Sequence, residues 1–438
     1  MWLLPAISTL SDLACRVFYR FHLEGPSPPS SGPLMLLANH QNSLFDPAFI
    51  ASAAERPVRF LAKSTLFNDR RVGWLVRASG AIPVYRTHEV EDAAGKNAVM
   101  FESVFDHLDS GHAIGIFPEG TSHSQPSLVQ LKTGTARMAL GFFARTGSMV
   151  PLVPVGLFLR DKGIFRSSAL ALRGEPVEWG DLAGRGVEDR AAVAELTRRL
   201  ETALRELTLN LEHWEDRPLV ETIEAIWTAT RDPASESVER VRRSQAVAAA
   251  LSKVRREGEE DWQELAERVI RHDKRLSRLG LRPTDLAVKT DLSTSIRWAV
   301  RRIHLLLPVA VAYALIASAL FLPPYLLTDL LIRIVRPEED QRSTYKALIA
   351  APLYTIWLLA LMGFCWWSWG RWLGLSVLII APIVGSTGLT VRERLRDSWH
   401  DLRQFFRLKS RRHWVERLRV DQEDLASELG KAYRRITG

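Results

Sequence analysis

Apolar and polar positions follow three different patterns along the chain. Up to about residue 185, short apolar runs are bounded by turn residues. Leu34–Ala38, Val58–Ala62, Ala81–Tyr85, Ala113–Phe117 and Leu152–Leu159 each read as a buried strand. Asp46–Ala54, Val90–Ser110 and Thr133–Thr146 carry helical spacing between them. Strands alternating with helices predict an α/β fold, a mixed sheet flanked by helices. Residues 186–300 then become rich in Arg, Glu and Ala, and segments 188–212, 236–256 and 259–279 read as charged amphipathic helices. They suit a solvated linker or small bundle, or else a cover over an acyl chain or a partner surface.

The third pattern is continuous apolarity. Residues 304–335 form one run, interrupted by Pro323-Pro324 and Asp329; residues 347–390 form another, about 44 long, containing Arg371. A bilayer core takes about 20 apolar helical residues. The second run therefore fits two spans turning near Gly370-Arg371. The first fits one tilted span, or a re-entrant hairpin folded at the two prolines. At the other end, Met1–Phe21 reads as an interfacial amphipathic helix presenting Trp2, Leu3, Leu10, Leu13, Val17 and Phe21. A plain core helix fits it equally. The expected domains are 1–23, 24–185, 186–300, 301–390 and a basic tail, 391–438.

Charge narrows the partners. The net charge is +8, which suits an anionic membrane surface, a phosphorylated metabolite or nucleic acid. Nucleic acid is set aside, because the basic residues interleave with acids and no recognition module is present. Arg297, Arg301 and Arg302 precede the first apolar run, and residues 391–419 carry ten Lys/Arg against four Asp/Glu. Both flanks read as cytoplasmic, which favours an even number of crossings. The expectation is an integral protein of the inner (cytoplasmic) membrane. Cys15 and Cys365 are too far apart for a disulfide framework or a metal-site spacing, so no metal is expected.

The chemistry-bearing residues lie where strands end. Asn39-His40-Gln41-Asn42-Ser43-Leu44-Phe45-Asp46-Pro47 follows the first strand. A neutral imidazole takes a proton from an alcohol near pH 7, and a carboxylate on its other nitrogen fixes the tautomer. A lone His–Asp pair at this spacing is more often structural, so the neighbouring motifs matter. Gly80-Ala-Ile-Pro-Val-Tyr-Arg86 ends in a guanidinium suited to a phosphate, or to a surface ion pair. Phe117-Pro118-Glu119-Gly120-Thr121-Ser122 offers a sharp turn with amide and hydroxyl donors. There Glu119 suits either an acceptor hydroxyl or Arg86. Val150-Pro-Leu-Val-Pro-Val-Gly156 reads as a buried strand lining a pocket.

In this order, over residues 30–180, the four motifs resemble the phospholipid/glycerol acyltransferase superfamily. The five residues between His40 and Asp46, where most of that family has four, look like the glycerol-3-phosphate/dihydroxyacetone-phosphate acyltransferase branch. Residues 122–137 and 161–167 look like the same branch. The resemblance implies an acyltransferase domain over 24–185 with a glycerol-3-phosphate acyltransferase-like fold, which the flanking charge puts on the cytoplasmic side. It implies transfer from acyl-CoA or acyl-carrier protein to glycerol-3-phosphate, or alternatively to a lysophospholipid such as 1-acylglycerol-3-phosphate. It makes His40 and Asp46 catalytic and places Arg86, Glu119, Gly120, Thr121 and Ser122 at the substrate, with the thioester as co-substrate and no cofactor. Ser122 stands where the family often has Arg, so phosphate contacts fall to Arg86, Lys132 or Arg137. A non-catalytic membrane scaffold is the remote alternative; it predicts a damaged motif, and the motif is intact.

Overall fold

The computed structural model describes residues 4–70, 73–85, 93–232, 237–257, 260–287 and 308–437. They form two units: residues 1–212 with 237–245 and 338–344, and the remainder.

The first unit contains, in chain order, α1 (Leu4–Phe18), β1 (Arg20–Glu24), β2 (Leu34–Ala38), α2 (Phe45–Ala53), β3 (Val58–Lys63), α3 (Gly73–Ala78), β4 (Ile82–Val84), α4 (Ala93–Asp109), β5 (Ala113–Ile116), α5 (Gly134–Thr146), β6 (Leu152–Leu159), β7 (Ser168–Arg173), α6 (Gly180–Ala183) and α7 (Arg190–Glu206). The strands make one mixed sheet in the order β1-β7-β6-β2-β5-β3-β4. Every pairing is parallel except β6 with β7. All five residues of β2 are buried, as a continuous apolar run at a sheet centre requires. Met35 and Leu37 join a core with Val104 and Leu108 of α4, Met138, Leu140 and Phe142 of α5, and Leu196, Leu200 and Leu204 of α7. Strand alternation turns Leu34, Leu36 and Ala38 the other way. α2 packs across β3, β5, β6 and β7. Its Phe45 and Phe49 pack edge-on or tilted against Tyr19, at 5.3 and 5.4 Å between ring centres.

The five expected strands are present, and two more join them. β1 occupies residues assigned in advance to the N-terminal helix: that helix ends at Phe18, and Phe21 is buried in a strand rather than on a lipid-facing surface. The sheet therefore begins before residue 24. Along α1 the outer residues Leu10, Leu13 and Val17 stay exposed, while Cys15 is fully buried.

The second unit contains α8 (Arg217–Arg231), most of α9 (Ser237–Glu257), α10 (Glu260–Leu279), α11 (Pro308–Val335), α12 (Arg342–Trp369), α13 (Arg371–Ser410) and α14 (Arg412–Thr437). Ile223 and Ile226 of α8, Leu251 and Val254 of α9, Leu265 and Val269 of α10, and Leu425 and Leu429 of α14 share one core. Within the charged region, α8, α10 and most of α9 thus form a bundle that includes the C-terminal segment as a helix rather than a tail, whereas α7 packs on the sheet. α11, α12 and α13 are long and apolar enough to cross a membrane. α11 runs unbroken through Pro323 and Pro324, so no hairpin folds there. The Thr328 hydroxyl bonds the Pro324 carbonyl at 2.7 Å, as hydroxyls do where a proline disturbs an apolar helix. α11 meets α13 at small residues: a Cβ on Gly388 would lie 2.2 Å from Ala317 Cβ. The turn expected near residue 370 is present, with Gly370 at φ +100 between α12 and α13.

Candidate active site

β2 and β5 are adjacent and parallel, so the loops after both leave the same edge of the sheet. That carboxyl edge is where open α/β sheets bind ligands. Asn39 extends the ladder by one rung with its side chain. Its Nδ2 donates to the Leu157 carbonyl at 3.1 Å, and its Oδ1 accepts from the Leu157 amide at 2.8 Å. His40 follows on this fixed base. The chain reverses through Ser43, at φ 43, and α2 opens at Phe45 with Asp46 in its first turn.

The reversal brings the predicted pair together. His40 Nδ1 lies 2.8 Å from Asp46 Oδ2, with the Asp46 side chain fully buried and the His40 ring 18% exposed. The same oxygen accepts the Asn42 amide at 2.6 Å. A carboxylate accepting at that point assigns the proton to Nδ1 and leaves the Nε2 lone pair open. Nε2 has no protein partner among the described residues. The ring stacks on Phe117 at 4.1 Å and 18°. That stacking fixes the ring plane from the β5 side.

Glu119 was expected to meet an acceptor hydroxyl or Arg86, and Arg86 lies outside the described residues. Glu119 is buried, and both carboxylate oxygens meet N–H groups of the protein itself. Oε1 accepts the His40 amide at 2.6 Å; Oε2 accepts the Val129 amide at 3.1 Å and the His123 ring N–H. His123 Nδ1 accepts the Gln125 amide at 3.1 Å, so His123 is the neutral Nε2–H tautomer. The His123 amide donates to the His40 carbonyl at 3.1 Å. Glu119 therefore joins the two motif loops, with Oε2 taken by two donors and Oε1 by one. His123 was missed in the sequence; an imidazole four residues after a motif glutamate was the available signal.

Gly120 turns at φ +74, and its amide donates to the Phe117 carbonyl at 3.0 Å. The Thr121 and Ser122 amides have no protein partner among the described residues. Thr121 is exposed, and the Ser122 hydroxyl accepts the Ser43 amide at 3.3 Å. Lys132 is exposed, and its side chain runs beside Gly120. Arg137 is half-buried in the first turn of α5. Arg86 lies outside the described residues. The residue before it is held, because the Tyr85 amide and carbonyl both bond Asn97, at 3.0 and 2.7 Å.

Residues 20–157 match the Acyltransferase family. The chain is 38% identical over 138 residues to glycerol-3-phosphate O-acyltransferase 2 of Saccharomyces cerevisiae, covering 31% of this chain and 18% of that protein. It is 34% identical over 133 residues to glycerol-3-phosphate O-acyltransferase 1 of the same yeast, covering 29% and 18%. Against the chloroplastic 1-acyl-sn-glycerol-3-phosphate acyltransferase LPAT1 of Arabidopsis thaliana the identity is 27% over 142 residues, covering 32% and 36%. The chain spans less than a fifth of the length of the two yeast relatives. The segment that matches the Acyltransferase family is the one whose sheet edge carries the His40–Asp46 pair.

Proposed function

We propose that the chain is a membrane-bound glycerolipid O-acyltransferase that moves a fatty acyl group from a thioester, acyl-CoA or acyl-carrier protein, to glycerol-3-phosphate. The observation that carries this reading is the 2.8 Å contact between His40 Nδ1 and a buried Asp46, with Nε2 left open. His40 Nε2 takes the proton from the acceptor hydroxyl. The oxygen attacks the thioester carbonyl carbon, and the carbonyl oxygen becomes an oxyanion. The unpartnered Thr121 and Ser122 amides are the candidate donors to it. The C–S bond then breaks, and the departing thiolate takes the proton back from His40. Asp46 holds the imidazole in the required tautomer and offsets its positive charge. Lys132, Arg86 and Arg137 are the candidate partners of the acceptor phosphate. The three apolar helices keep this chemistry at the bilayer, into which the acyl chain and product partition, and the basic flanks favour the cytoplasmic face.

Likeness to the two yeast enzymes favours glycerol-3-phosphate, whereas the weaker likeness to the Arabidopsis enzyme supports 1-acylglycerol-3-phosphate. Full-length protein in vesicles, offered both radiolabelled acceptors with acyl-CoA and acyl-carrier-protein donors, separates the two. Faster acylation of glycerol-3-phosphate is expected. Preference for the lysolipid would transfer the assignment to the second acceptor, and no acyl ester with either would overturn the proposal.

A further inference from the structure

The turn after β2 belongs to no strand or helix, so its backbone N–H groups need other partners. Side chains supply four of them. Glu119 takes the His40 amide and Asp46 the Asn42 amide. Ser122 takes the Ser43 amide, and Thr344 Oγ1 takes the Leu44 amide at 3.2 Å. The last partner is 300 residues away in sequence. Two of its neighbours join it. The Ser343 hydroxyl donates to Asn42 Oδ1 at 2.6 Å, and the Ser43 hydroxyl donates to Asp340 Oδ2 at 3.3 Å. Asn42 Nδ2 completes the chain by donating to the Tyr19 hydroxyl at 2.9 Å, and that hydroxyl donates to the Lys162 carbonyl at 2.5 Å.

Ser343 and Asn42 are fully buried, and Asp340 and Thr344 nearly so. These contacts are therefore made away from competing water. Segment Glu338–Thr344 runs from the link after α11 into the first turn of α12. It groups with the sheet, although both of the helices it joins fall largely in the other unit. Asn42 is the pivot: its side chain is held by Ser343 and Tyr19, while its amide shares Asp46 Oδ2 with His40. A shift of Ser343 thus reaches the catalytic carboxylate through one residue.

We propose that Ser343 and Thr344 are positioning residues for the His40–Asp46 pair, so that the polar N-terminal turn of α12 forms part of the acyl-transfer site. This rests on the reading of His40 as the general base. Working geometry of such a pair is sensitive to displacements of well under 1 Å, so the effect belongs in kcat.

The test uses full-length protein in vesicles with Thr344→Val, Thr344→Ser and Ser343→Ala. Thr344→Val keeps the side-chain volume but removes the acceptor, and Thr344→Ser keeps the hydroxyl. One lost hydrogen bond corresponds to roughly tenfold in kcat. Thr344→Val and Ser343→Ala should each fall by about that factor with KM unchanged, while Thr344→Ser stays near wild type. Amide exchange of a peptide covering residues 40–46 should accelerate in Thr344→Val and not in Thr344→Ser. Unchanged exchange, an equal loss in Thr344→Ser, or a change in KM alone overturns the proposal. Exchange is read without turnover, so accelerated exchange in a chain whose wild type acylates nothing supports the docking while removing the acyltransferase reading. Ser343→Ala carries the test if Thr344→Val shows no cooperative melt.

Discussion

At the residue scale, the proposed mechanism places the chemistry on two atoms of one imidazole. Nδ1 is committed to Asp46 and Nε2 is open. Removing the ring removes the base, and a positioned general base contributes about 10²–10⁴-fold. His40→Ala should lower kcat by that factor. Asp46→Asn should lose about as much, because an amide neither offsets the imidazolium charge nor enforces the tautomer. Both are read from initial rates in vesicles with the melting transition as a folding control. Near-wild-type turnover in either would remove that residue from the mechanism. This pair was legible in the sequence because a histidine at a strand end and an aspartate opening a helix need only one turn between them. Thr344 and Ser343 were not legible. Nothing near residue 340 points to residue 42, and the one hint was a polar stretch, E-E-D-Q-R-S-T, between two apolar runs.

At the element scale, the site depends on two loops being held at one edge of the sheet. Glu119 does this by accepting the His40 amide from the β2 loop and the Val129 amide and His123 ring N–H from its own. A buried carboxylate has the acceptors for all three; an amide brings two hydrogens of its own into a ring of donors. His123 cannot adapt by switching tautomer, because its Nδ1 already accepts the Gln125 amide. Glu119→Gln should therefore destabilise the protein by about 1–3 kcal/mol and lower kcat. A detergent-solubilised thermal melt with parallel rates checks both, and an unchanged midpoint would contradict the bridging role. The strands that flank these loops were readable as apolar runs. The two missed strands, R-F-H-L-E and S-A-L-A-L-R, lack β-branched residues and long apolar runs. They are strands because β7 pairs antiparallel with β6 and β1 then pairs with β7, a tertiary effect that overrides local preference.

At the scale of the whole molecule, the polar turn also constrains sidedness. Glu338–Thr344 groups with the sheet unit, so the proposed topology puts the start of α12 on the membrane side of the sheet and keeps α11 from crossing. α12 is 28 residues long, or about 42 Å at the usual helical rise, enough to cross a bilayer core. On the proposed topology Gly370 then turns the chain on the opposite side; Trp366, Trp367, Trp369 and Trp372 lie around it and are largely exposed. Indole rings favour that interfacial depth. α13 brings the chain back, and its second half opens the basic stretch 391–419, whose charge prefers the cytoplasmic face. On the proposed topology, the docked turn and the charge of the return segment both favour the same side for the two ends of the α12–α13 hairpin. In a Cys365→Ser background, a membrane-impermeant maleimide should label Trp369→Cys in sealed cells and label Ser410→Cys only after permeabilisation. The native Cys15 should not interfere, because it is fully buried and burial holds its thiol well above the ordinary range, leaving little thiolate to react. Labelling of both positions from one side would mean that the hairpin does not cross.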